Sequence, residues 1–188
     1  MDSASLRFLF SCGSSFMSRI IGWFCFSKLS HTVTGFEIFK AKVIMESSER
    51  GVGFAPLDYF EKHNSIHAVI RPVAGALATP EGLSEHMSWL IETYGNAKYD
   101  WLAVGCTGIF NRIKWLWQVA GWWLKRRLKK DAVHCTEIWV RLLQHADYQV
   151  TRGMDAELSD PHKLLRALAG STDFQVEYVS EVGKKELV

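Results

Sequence analysis

Apolar residues recur at helical spacing downstream of Cys135. Ile138, Leu142 and Leu143 are interleaved with Glu137, Arg141 and Gln144, which predicts an amphipathic helix from Cys135 to about Ala146. Thr79 as an N-cap with Pro80 at the first helical position predicts a helix over Pro80 to Tyr94. Phe16 to Phe26 reads as helical, with Ile20, Ile21, Trp23 and Phe24 to one side, and Pro161 to Ala169 as another helix. Shorter apolar runs predict strands at Leu6 to Phe10, Val52 to Phe54, Ala68 to Ile70 and Phe174 to Val179. Phe36 to Phe39 and Val43 to Met45 read as a hairpin turning near Lys40-Ala41, a register that sets Ile38 against Val43 and Gly35 against Glu46. Pro56 to Phe60 begins a short helical turn, and Tyr99 to Lys130 is mostly helical with a break at Gly105 to Gly108. Strands first and helices later, joined by hairpins, predict an α+β fold.

Composition narrows the class. A chain of 188 residues that is 48% hydrophobic can bury one good core, so residues 1–188 are expected to form a single domain. A formal charge of +2 gives no argument for nucleic acid, and none is expected as a partner. The four cysteines at 12, 25, 106 and 135 form no closely spaced pair and lack the density of a disulfide scaffold, so neither zinc nor any other cofactor is expected. Ser11-Cys12-Gly13-Ser14-Ser15 interrupts the apolar patch at Phe8-Leu9-Phe10, and no run of about 18 apolar residues exists. The expected location is cytoplasmic by default, or virion- or secretion-associated.

Chemistry concentrates on three residues. Cys135 falls in the first turn of its helix, where the macrodipole and unpaired amides favour a thiolate; a small buried apolar residue is the alternative. His31 opens an extended segment and could project from a sheet edge, or be an ordinary strand-edge histidine. Glu46 ends the partner strand, where it could fix an imidazole tautomer or be a solvated charge. His134 adjoins Cys135 and is read as pointing away from it. His63 and His67 have i,i+4 spacing without a second ligand pair; His86, His145 and His162 read as surface residues, and Cys12, Cys25 and Cys106 as apolar packing.

The stretch at 105–130 is rich in tryptophan and base. Ile109, Ile113, Leu116, Ala120, Trp123 and Leu124 share one helical face, and Lys125 to Lys130 form a cationic end. It reads as a core-packed helix with a solvated basic end, or as a membrane-surface or protein contact through 109–130.

Four motifs then carry a resemblance. Ser15 to Trp23 followed by Ser27 to His31, Glu46 to Val52 followed by Pro56-Leu57, Tyr99-Asp100-Trp101, and His134-Cys135-Thr136-Glu137 stand in one order along the chain. Together they resemble the circularly permuted papain-like peptidases, the permuted branch of the NlpC-type cell-wall amidases, also called YiiX-like. The resemblance implies a permuted papain-like fold, with a cysteine helix on a small antiparallel sheet or partial barrel. It implies Cys135 as nucleophile, His31 as general base and acid, Glu46 as the orienting group, and Tyr99 near the cleft as a substrate contact. It implies a peptide or amide substrate, possibly a cell-wall peptide; related permuted folds act as lipid acyltransferases or acylamide hydrolases, and a non-catalytic or virion-associated module is a third possibility. Three features depart from the family, the first being the long Trp-rich basic stretch between Tyr99 and Cys135. Two extra residues separate His31 from Gly35, which could form a bulge, move His31 out of reach or pass the third role to Ser48, and Thr136 replaces a common serine.

Overall fold

The structure is a computed structural model that describes residues 5–14, 16–25, 27–38, 41–48, 50–100 and 132–187. Its centre is an open sheet of six strands in the order β4-β3-β2-β1-β5-β8. The strands are β1 (Arg7–Gly13), β2 (His31–Ile38), β3 (Ala41–Ser48), β4 (Gly51–Pro56), β5 (Asn64–Pro72) and β8 (Phe174–Val179), and every neighbouring pair is antiparallel. A separate parallel pair joins β6 (Lys98–Tyr99) to β7 (Ala132–Val133). The helices are α1 (Phe16–Cys25), α2 (Leu57–His63), α3 (Pro80–Tyr94), α4 (Cys135–His145), α5 (Pro161–Ala169) and α6 (Glu181–Leu187). The fold is therefore α+β, and the sheet does not close into a barrel. The Trp-rich basic stretch at 105–130, with Cys106, lies outside the described residues.

The interior position of β1 explains its composition. Phe8, Leu9 and Phe10 are 0%, 4% and 0% exposed, because helices cover both faces of the sheet. Alternation then sorts the side chains into two cores. Phe8, Phe10, Met45 and Ile70 pack with Ile138, Trp139, Leu142 and Leu143 of α4 and with Leu164, Leu165 and Leu168 of α5. Leu9, Val33 and Ile44 pack with Phe60 of α2 in a smaller cluster.

Local chemistry sets the helix limits. The Thr79 side chain accepts a hydrogen bond from the Gly82 amide at 3.2 Å, and Pro80 occupies the first helical position of α3. Asp160 does the same for α5, accepting from the Lys163 amide at 2.8 Å ahead of Pro161. The α3, α5 and β8 limits match the sequence pattern; α6, β6 and β7 were not read from it.

The β2–β3 register differs from the expected one. Ile38 pairs with Ala41 and Gly35 with Ile44, so the connection is two residues tighter and Glu46 does not face Gly35. Gly35 lies against Leu9: a Cβ there would stand 2.9 Å from Leu9 Cδ1, so any side chain would displace that buried leucine. Both strands also extend further than predicted. The ladder between them nevertheless ends at Thr34–Met45, although β2 begins at His31 and β3 runs to Ser48. That unpaired fork positions the site.

Candidate active site

The start of α4 is docked into the fork. β7 delivers Val133, whose carbonyl accepts a hydrogen bond from Ser47 Oγ at 2.9 Å. One turn into α4, Trp139 Nε1 donates to the Thr32 carbonyl at 2.9 Å, and the indole is fully buried. These two contacts tie the helix to β3 and β2 just where the strands cease to bond each other. Cys135, the first residue of α4, is 3% exposed.

His134 is the N-cap of α4, a role the sequence reading missed. Its Nδ1 accepts from the Glu137 amide at 3.3 Å, and Glu137 Oε2 accepts from the His134 amide at 3.4 Å, a reciprocal capping box. The signal in the sequence is Glu137 three residues after the cap, the spacing of a capping box. Glu137 is 3% exposed, and its charge is answered by Arg141, whose Nε and Nη2 donate to Oε1 at 2.9 and 2.7 Å.

His31 arrives from the sheet. The preceding loop is fastened by Ser30, whose amide donates to the Ser11 carbonyl at 3.0 Å and whose Oγ accepts from the Gly13 amide at 3.2 Å. Glu186 of α6 accepts from Ser27 Oγ at 2.8 Å and from the Lys28 amide at 2.9 Å. His31 pairs with Ser11 of β1, and the register runs without a shift from there to Arg7–Gly35. The two residues beyond the family's spacing thus lengthen β2 regularly and form no bulge. His31 Nε2 lies 2.9 Å from Glu46 Oε2, with the side chains 16% and 25% exposed. Glu46 sits opposite Gly53 of β4, and Ser48 closes β3 opposite Gly51. The contact expected from strand pairing is therefore made instead across the open fork.

With Nε2 held by Glu46, the other ring nitrogen of His31 is left available, and Cys135 is near enough to act on the ring electrostatically. Burial disfavours the charged ring, but the Cys135 thiolate and Glu46 outweigh it and push the His31 pKa up to about 10. Burial also pushes the Cys135 thiol up, yet the charge of His31, with the His134 and His31 rings beside the sulfur, holds it well below the ordinary thiol range. Both directions favour an imidazolium–thiolate pair over the neutral forms. His134 stands on the other side of the sulfur. Burial lowers its pKa, while the neighbouring Cys135 and the charge of Glu137 raise it, with a net upward direction. Its bonds set a limit on that tendency: Nδ1 accepts from the Glu137 amide, so the ring donates from Nε2 to the Glu157 carbonyl at 3.2 Å. That is the pattern of a neutral imidazole, and while the cap is intact we assign His134 as neutral and His31 as the charged partner.

The structure thus brings together Cys135, His31 and Glu46, with His134 added. Tyr99 pairs in β6 with Val133, two residues before the cysteine, and is partly buried. Cys12 is partly buried and does not belong to the core; it lines an open cavity of about 620 Å³ with Arg19, Trp23, Lys28, His67 and Glu186. The expected surface histidines have specific partners: His162 Nδ1 is 2.8 Å from Glu186 Oε2, and His86 Nδ1 is 2.8 Å from His145 Nδ1. Among the described residues, no group of three or more His, Cys, Asp or Glu side chains is placed to hold a metal ion. Nor, among them, is any helix long and apolar enough to cross a membrane.

No family model matches the chain, and no curated protein matches it. Among solved structures, the crystal structure of metalloprotein yiiX from Escherichia coli O157:H7 aligns over 96% of this chain and 99% of its own, with a TM-score of 0.49 and 14% identity. A likeness that distant carries neither chemistry nor metal content from one protein to the other. The α+β class stands on the sheet and helices themselves.

Proposed function

We propose that the protein is a cysteine hydrolase of amide or peptide bonds, with Cys135 as nucleophile, His31 as proton carrier and Glu46 as the group that orients His31. The observation that supports this most is a largely buried imidazole held by a carboxylate at 2.9 Å, beside a buried thiol that opens a helix and acts electrostatically on the ring. The Cys135 thiolate attacks the amide carbonyl carbon and a C–S bond forms. The first-turn amides of α4 receive the oxyanion. His31 gives its proton to the departing nitrogen as the C–N bond breaks. Water, losing a proton to His31, then cleaves the thioester and releases the acid, which restores the ion pair. Glu46 keeps Nε2 of the ring occupied throughout, so the other nitrogen stays aimed at sulfur. Tyr99 is placed by this reading near the substrate.

A peptide of the bacterial cell wall is the substrate class we favour, on the motif resemblance. The test is release of new amino groups from purified cell-wall peptides by the intact protein and by Cys135→Ser and His31→Ala. Both variants should be inactive, and turnover by Cys135→Ser at the intact rate refutes the mechanism. A lipid-directed acyltransferase or acylamide hydrolase is the second reading, favoured by Trp23, which is 60% exposed beside Arg19 and Lys28 at the open cavity. Co-sedimentation with anionic vesicles separates the two. A purely structural module would instead show a Cys135 that iodoacetamide alkylates only above about pH 8.

A further inference from the structure

We propose that His86 and His145 form a two-imidazole site for a divalent first-row transition metal, bridging α3 to the C-terminal end of α4. The two rings come from different helices and approach through the same atom: His86 Nδ1 and His145 Nδ1 are 2.8 Å apart, with the ring planes at 80°. Two metal–nitrogen bonds of about 2.0 Å meeting at about 90° span about 2.8 Å, the cis edge of a square-planar or octahedral site. The separation between the nitrogens already matches such an edge.

Three further features favour an ion there. Trp89 stacks on the His145 ring at 3.8 Å and 6°, and Tyr94 meets Trp89 edge-on at 5.8 Å, so the His145 ring plane is fixed before anything binds. His145 ends α4, where the helix dipole favours positive charge, and the Glu85 carboxylate acts on His86 from α3. His145 is exposed, which leaves room for water to complete the coordination sphere. Without a metal, one neutral ring donates its Nδ1 proton to the other. On binding, that proton moves to Nε2 of the donor ring and both Nδ1 lone pairs turn to the ion, so no net proton is lost. The site is separate from Cys135, which begins α4 ten residues earlier, about 15 Å along the axis.

The test is thermal unfolding of the full chain titrated with nickel(II) chloride alone. A saturable rise in Tm at one equivalent is expected, because an ion bound only by the native state stabilises it. His86→Asn and His145→Asn should each abolish the rise, and Cys135→Ser should retain it. Copper(II) at one equivalent should give an electron paramagnetic resonance spectrum with two nitrogen donors in the intact chain and in Cys135→Ser. No rise in Tm overturns the proposal. So does a rise that survives in the double His86→Asn, His145→Asn variant, or one that disappears in Cys135→Ser.

Discussion

Replacing Cys135 by serine should change how stability depends on pH, and the structure sets the size of the change. In the unfolded chain His31 titrates near 6.5 and Cys135 near about 8.5. In the folded chain His31 is raised to about 10 and Cys135 is lowered. The raised histidine contributes stability that is complete below 6.5 and is lost as pH climbs to about 10. The lowered cysteine contributes stability that is complete above about 8.5 and is lost as pH falls toward its folded value. Between those two unfolded values folding merely moves a proton from sulfur to nitrogen, and the slopes cancel. Above about 8.5 only the histidine loss remains. At about 1.36 kcal/mol per pH unit, the interval to about 10 removes about 2 kcal/mol. Serine carries no charge in this range, so the variant lacks that alkaline loss, while lysines and tyrosines titrate alike in both proteins. Urea unfolding of both proteins from pH 6 to 10.5 measures the difference. Parallel curves from pH 8.5 to 10 would show that no thiolate holds a proton on His31, and the ion pair would be refuted.

Three other outcomes follow from named contacts. Glu46→Gln keeps a hydrogen-bonding group but removes the charge, so the His31 pKa should fall from about 10 and turnover should drop; imidazole NMR titration checks the first and amide hydrolysis the second. Trp139→Phe leaves the Thr32 carbonyl without its donor inside the core, at a cost of about 1–3 kcal/mol for the orphaned group, read by urea denaturation. His134→Ala removes the α4 cap and should cost about 0.5–2 kcal/mol, with His134→Asn restoring part of it, and unchanged midpoints in both would contradict the capping role.

The readable parts of the fold were those governed by local chemistry. Thr79-Pro80 and the run at Pro161 set helix limits that neighbouring structure does not alter. The seven-residue α6 was missed because Gly183 stands in its first turn and its anchor is the distant contact of Glu186 with Ser27 and Lys28. β2 was read too short, since Thr32, Val33 and Thr34 are all buried and show no alternation. Cys135, His31 and Glu46 could be nominated from residue type and position, but their meeting could not be computed from a hairpin register that proved two residues off. His134 was hidden by a rule about neighbours on a helix, when it lies one residue outside the helix with extended backbone, φ −99° and ψ 170°.

The length of β2 above the fork has a consequence for divergence. A strand presents alternate side chains to alternate faces, so adding an even number of residues between His31 and Gly35 keeps the imidazole on its side, and an odd number would turn it away. The pairing of β2 with β3 starts only at Thr34, so such growth would leave that seam intact. The geometry allows the reach of this histidine to change in steps of two residues, a quantised adjustment of cleft depth that lengthens the β1–β2 ladder while the β2–β3 seam keeps its register.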